Sequence, residues 1–190
     1  MISTDFVMSL AKVIEFAASA ALTELIAVYP ESFYYISLIT TGEGHPPIST
    51  AWSSEALSRA VQAALVRDQH QESNPNTARY NFEWSHGESP YFGFGDGHFS
   101  DVKRIIEARP QFQNLDIASA CRETSLRLLA AESAIANMDR AGFFSVFGQR
   151  ESLVINVEVM PPCEENTTRG IRLNPPEAIS RWLDDVAEPI

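Results

Sequence analysis

Between Ser3 and Tyr29 the apolar residues Phe6, Leu10, Ile14, Ala17, Ala21 and Leu25 return every three or four positions, while Lys12, Glu15, Ser19 and Thr23 take the other side. That period predicts one long amphipathic helix, because side chains three and four apart share a face. Ser3 or Thr4 is placed to cap it, Asp5 suits the positive end of the helix dipole, and Pro30 marks its finish. A helix owes most of its stability to the surface its stripe covers, so the rest of the chain must supply that surface. The stretch superficially looks like a signal peptide, but no basic residues precede it and Asp5, Lys12 and Glu15 interrupt it. With no run of roughly 18 uninterrupted apolar residues, the expectation is a mature helix in a cytoplasmic protein without a membrane partner.

The segments that follow supply candidate partners. Phe33 to Thr40 is apolar on both alternating faces and predicts a buried strand, followed by a turn over Gly42 to Pro47. Ser53 to Arg67 reads as a helix capped by Ser53. Tyr80, Phe82 and Trp84 alternate with Arg79, Asn81 and Glu83, the period of a half-buried strand. Residues 85 to 99 read as loop, and Ser100 or Asp101 opens a short helix that ends near Pro110. Asp116 begins a longer helix, closed by Gly142, whose face of Ile117, Ala120, Cys121, Leu128, Ala131, Ile135 and Met138 makes Cys121 a buried filler. Phe143 to Phe147 is a candidate short strand, joined around Gly148 to a strand carrying Leu153, Ile155, Val157 and Val159. Pro175 or Pro176 starts a last helix with Ile179, Trp182 and Leu183. Strands this few and unevenly spaced exclude a regular βαβ array. The expectation is a single α+β domain over residues 1–190, with a small, mostly antiparallel sheet packed against several helices.

Charge narrows the partners. A formal net charge of −11 opposes approach to nucleic acid or an anionic membrane. From Glu151 onward eight acidic residues face three arginines, so this stretch carries −5 of that charge. The pairs Glu164-Glu165 and Asp184-Asp185 read as solvated surface rather than as an acid/base couple. The complementary partner is a basic protein. Cys121 and Cys163 stand far apart in neither a disulfide nor a zinc pattern, which fits a reducing compartment.

The most unusual stretch, His86 to Asp101, invites three readings. His86, Asp96, His98 and Asp101 are metal-ligand types, but lack the cysteines or helical histidine spacing of common sites. Gly93, Gly95 and Gly97 precede a helix as in an anion cradle, yet the lysine and hydroxyl residue of a phosphate loop are missing. The third reading is a turn whose Tyr91, Phe92, Phe94 and Phe99 cover the core while glycines supply positive φ; in a variant of it, some rings serve as partner anchors. There is no Gly-x-Ser-x-Gly elbow, and His45, His70, His86 and His98 cannot be matched to a nucleophile. No catalytic residue, metal or cofactor is therefore assigned.

Several segments together resemble a bacterial family known only as a domain of unknown function. They are Phe33-Tyr34 with Thr40 and Thr41, Ser53-Ser-Glu-Ala-Leu57, Arg79-Tyr80 with Trp84, and Leu173-Asn174-Pro175. The pattern spans most of the chain, although an Arg-Trp pair is more typical where Arg79-Tyr80 stands. Members of such a family sometimes occur beside polymorphic or contact-dependent toxins, which implies an immunity role. The resulting expectation is a non-enzymatic module whose acidic surface docks on a basic toxin domain. Its partner-binding residues would be Tyr91, Phe94, Asp96, Glu164, Glu165, Asp184 and Asp185. The alternatives are a small-molecule or metal-dependent enzyme centred on His86, Asp96 and His98, and an oligomeric scaffold that self-associates through the aromatic loop.

Overall fold

The computed structural model describes residues 2–67 and 74–188. The predicted first helix is α1, Ile2–Val28, so Ser3 and Thr4 lie in its first turn rather than before it. Its stripe of Leu10, Ile14, Ala17, Ala18, Ala21 and Leu25 is buried, and it packs along α5, Ile117–Arg140. Alanines on both helices, including Ala130, Ala131 and Ala134 of α5, allow close approach, while each buried leucine or isoleucine contributes about 1.5–3 kcal/mol. By length and composition alone α1 would qualify as a membrane span; in this fold its apolar stripe lies inside the core.

The Asp116 carboxylate accepts from the Ser119 N–H at 2.8 Å, the expected cap of α5. Ile117 is 84% exposed and Cys121 is also exposed, contrary to the apolar face read from the sequence. The buried face of the first half of α5 is instead made by Glu123 and Arg127, and becomes apolar only from Ala130. These two charges bury together because each neutralises the other at 3.1 Å.

Three strands form one sheet in the order β2-β1-β3: β1 Phe33–Thr41, β2 Ile48–Ser53 and β3 Val154–Met160. The α+β class is the observed one, but the sheet is mixed rather than mostly antiparallel. β1 pairs antiparallel with β2 and parallel with β3, with Ile36 opposite both Ala51 and Ile155. β1 and β3 are buried at nearly every position, so helices cover both faces of the sheet.

α2, Ser54–Arg67, starts where expected, with the Ser53 hydroxyl accepting from the Ala56 N–H. The strand expected over residues 79–84 is not formed. That segment belongs to α3, Pro75–Phe82, because the Asn74 side chain accepts from the Asn76 N–H and Pro75 occupies the first position with its φ already set. Phe143–Phe147 is likewise a 3-10 turn, entered through Gly142 at φ +75°, rather than a strand. α4 spans Ser100–Glu107, α6 Glu164–Leu173 and α7 Pro176–Val186.

α6 has an unusual task. β3 is an edge strand, and unpaired edge N–H and C=O groups need partners. Asn174 accepts from Ile155 N–H and donates to its carbonyl, at 2.8 and 2.6 Å. Asn166 does the same for Val159, at 2.8 and 3.0 Å, and Arg169 Nε donates to the Val157 carbonyl at 2.7 Å. Polar side chains around α6 thus replace a fourth strand, and they fix the helix's amino end beside the carboxyl end of β3.

Candidate functional site

The parallel strands β1 and β3 finish side by side, at Thr41 and Met160. The space beyond the carboxyl ends of parallel strands is where this kind of architecture leaves room for ligands. Here it is an open groove of about 960 Å³, bordered by the Gly42-Glu43 turn, the first half of α5 and the Pro161–Glu165 approach to α6. Pro161 and Pro162 cannot continue the β3 ladder, which is why the chain turns away there.

Apolar side chains make up much of the groove: Phe112, Leu128, Leu129, Val159 and the two prolines. Leu129 is half exposed. Three carboxylates and both thiols share the lining, namely Glu43, Glu132, Glu165, Cys121 and Cys163. Glu132 is neutralised by Arg172, whose Nε and Nη2 donate at 2.7 and 2.9 Å. Arg169 is buried and engaged with Val157 and Asn166, and burial lowers its pKa. Glu43 and Glu165 are exposed and supply the groove's negative potential. The Cys163 thiol and Glu165's own backbone N–H hold the Glu165 carboxyl below its ordinary value, while burial and Glu165 together push the thiol up.

The residues singled out from sequence fall in three separate places. Glu165 lines the groove, with exposed Glu164 beside it in the first turn of α6. Asp184 is exposed on α7, but Asp185 is a tether: it accepts from Trp84 Nε1 at 2.9 Å and lies 3.5 Å from Arg181. Tyr91 is a core residue rather than a surface anchor, 2% exposed, with its ring 4.9 Å from that of Tyr29 and its hydroxyl donating to Glu31 at 2.5 Å. Phe94 is half-buried against Tyr29, and Asp96 is exposed. Tyr91, Phe94 and Phe99 of the aromatic turn thus pack on the body of the protein, whereas Phe92, expected to cover the core with them, is exposed.

Nor does the structure gather the loop's histidines. His98 Nε2 meets Glu24 of α1 at 2.8 Å, and half-buried His86 lies beside Phe92. Among the described residues no group of three His, Cys, Asp or Glu side chains is placed to share an ion. The anion cradle is filled from within, because the N–H groups of Gly93, Phe94, Asp96 and His98 all donate to protein carbonyls. His45 pairs with the Thr41 hydroxyl, and His70 lies outside the described residues.

Sequence reasoning missed Glu43, Leu128, Leu129 and Cys163 as neighbours, since α6 was not foreseen. The available signal was Pro161-Pro162 ending a strand, with Cys163-Glu-Glu opening a helix three residues later.

No curated protein and no solved structure matches the chain. Its sequence does match the profile described as "Domain of unknown function (DUF4303)" over residues 14–175, a span that runs from within α1 to the residue before α7 and contains every groove residue named above. The chain belongs to the DUF4303 family, a domain of unknown function.

Proposed function

We propose that this protein is a non-enzymatic binding module that seats a basic protein segment in the groove between α5 and α6, in the manner of an immunity protein capturing a toxin domain. The observation that carries the reading is the pairing of an open apolar groove with exposed Glu43 and Glu165, on a chain of net charge −11. The two parts have different effects. Charge complementarity speeds encounter and selects a basic partner, whereas desolvated apolar contacts at Leu128 and Leu129 lengthen the complex's lifetime. The immunity role itself rests on the family resemblance.

The test is titration with basic protein domains, beginning with the product of the adjacent reading frame. Wild-type protein is expected to bind with an association rate that falls as salt rises. E43K/E165K is expected to bind about tenfold or more weakly, with a flatter salt dependence. Failure of the wild-type protein to form a complex counts against the reading, as does full binding by the charge-reversed variant.

A further inference from the structure

A second, smaller pocket of about 220 Å³ lies between α3, α7 and β3. Tyr80, Trp84 and Trp182 give it aromatic walls, and its polar lining includes His86, Asn166, Glu158 and Glu188. Tyr80 is 64% exposed at the mouth, whereas Trp182 is buried.

Glu158 is the feature that needs explaining. Among the described residues three glutamates are buried: Glu83, Glu123 and Glu158. Glu83 is clasped by Arg181 and Arg79, and Glu123 by Arg109 and Arg127. Glu158 makes no ion pair among the described residues: Oε1 accepts from the Tyr35 hydroxyl, the Ser37 and Asn156 side chains also favour its charged form, and buried Arg169 spends its hydrogen bonds on Val157 and Asn166 and acts on Glu158 only through space. A buried carboxyl with no cation bonded to it is costly to ionise, and this one borders an opening lined by the aromatic residues Tyr80, Trp84 and Trp182.

We propose that this pocket binds an organic cation, an ammonium or guanidinium group on a slim aliphatic stem, with Glu158 as its counter-charge and the rings of Tyr80, Trp84 and Trp182 as its walls. The cation supplies the partner that Glu83 and Glu123 already have. Burial raises the pKa of Glu158 in the empty pocket and a bound cation lowers it, so cation binding tightens as pH rises through that raised value. The titratable groups around it are Tyr35 on β1, Arg169 on α6, His86 and Glu188. Tyr35 stays protonated because burial pushes its pKa far up, and burial holds His86 neutral, so neither competes for the site with a charge of its own at neutral pH. This site is independent of the α5–α6 groove and stands whether or not that groove binds a protein.

The probes are n-butylammonium and n-butylguanidinium, with 1-butanol as the neutral comparison, read by tryptophan fluorescence and by calorimetry from pH 5 to pH 8. Both cations are expected to bind saturably and more tightly as pH rises, and butanol about tenfold more weakly and without that pH dependence. E158Q keeps an acceptor for Tyr35 and removes the charge; it is expected to weaken cation binding about tenfold and to remove its rise with pH. Y80A changes an exposed side chain, leaves the fold intact and is expected to cost about twofold to fivefold in affinity. Equal binding of butanol, unchanged cation binding by both E158Q and Y80A, or no saturation by about 50 mM, a generous limit for ligands this small, each overturns the proposal. A stability change in E158Q without any cation binding by wild type identifies Glu158 as a purely structural link.

Discussion

The Tyr35 hydroxyl donates a 2.5 Å hydrogen bond to Oε1 of Glu158, joining the central strand to the edge strand inside the core. Both side chains are buried, Tyr35 completely. Burial acts on the two acids in the same direction, favouring the protonated form of each. The bond therefore joins two groups that the fold prefers uncharged.

That preference makes stability depend on pH. The folded-state pKa of Glu158 lies above its unfolded value, so the folded protein holds this proton more tightly. The associated stabilisation is complete below the unfolded value of about 4.3 and is lost as pH rises through the folded value. Each unit separating the two values is worth about 1.4 kcal/mol. Urea unfolding from pH 4 to pH 8 is expected to show wild type losing stability relative to E158Q as pH rises. A difference between the two proteins that does not move with pH would show that Glu158 titrates alike in both states.

A second buried carboxylate is arranged in the opposite sense. Glu123 receives Arg109 through Nε at 2.8 Å and Nη2 at 2.6 Å, and Arg127 Nε at 3.1 Å, with Arg109 the main cause of its lowered pKa. Arg127 is itself buried, its guanidinium 4.8 Å from the centre of the Phe112 ring. E123A leaves that guanidinium buried without its partner and is expected to cost about 3–5 kcal/mol. E123L/R127M, which removes both charges and keeps apolar volume, is expected to recover most of the loss. Urea melts check both values, and a double variant as unstable as E123A would show that packing around Arg127, not charge, sets the cost.

How far these features were legible in the sequence depends on where each element finds its partners. α1 and the Asp116 cap of α5 were readable because their signals are local: an apolar period in one, a carboxylate three residues before a backbone N–H in the other. α3 was read as a strand because Tyr80, Phe82 and Trp84 alternate, yet these rings serve different surroundings. Tyr80 is exposed, and Trp84, beyond the helix end, packs against Tyr34 and Tyr35. β2 was missed because its buried Ser49, Thr50 and Ser53 look like surface residues; they are satisfied by the Phe94 and His86 carbonyls and by Glu31, all distant in sequence. α6 was missed for the same reason. Its buried face of Asn166, Thr167, Arg169 and Gly170 has no apolar period, since much of what it meets is the polar edge of β3. The groove depends on α6 and was hidden with it.

Gly95 shows how the aromatic turn is fitted to α1. It sits at φ +74°, and a Cβ there would lie 2.6 Å from Ala21 Cβ and 2.9 Å from Ala21 Cα. The left-handed conformation costs a non-glycine residue about 1–2 kcal/mol, and overpacking adds about 1–3 kcal/mol. G95A is accordingly expected to lose about 2–5 kcal/mol in thermal or urea melts. Gly97, two residues on, has open space around its Cβ position and no positive φ. G97A is expected to be neutral or to gain up to about 1 kcal/mol by restricting the unfolded chain. Equal losses in the two variants would mean that the turn does not rest on α1 through Gly95.

The groove carries its own reporters. Cys121 is exposed on the α5 side, while Cys163 is half-buried at the amino end of α6, its thiol held in the neutral form by burial and by the Glu165 carboxylate. Thiolate is the reactive species, so a disulfide reagent at pH 8 is expected to label Cys121 rapidly and Cys163 slowly. Removing the neighbouring negative charge with E165Q lowers the Cys163 pKa and is expected to speed the slow phase roughly twofold to tenfold, leaving the Cys121 rate unchanged. A single fast phase accounting for both thiols would contradict the burial of Cys163. The same two rates locate a bound partner. A basic protein seated between α5 and α6 covers Leu128 and Leu129 together with both sulfurs, so saturating amounts should slow both labelling phases. Binding that leaves the Cys121 rate untouched would put the partner on another face and remove the groove from the account.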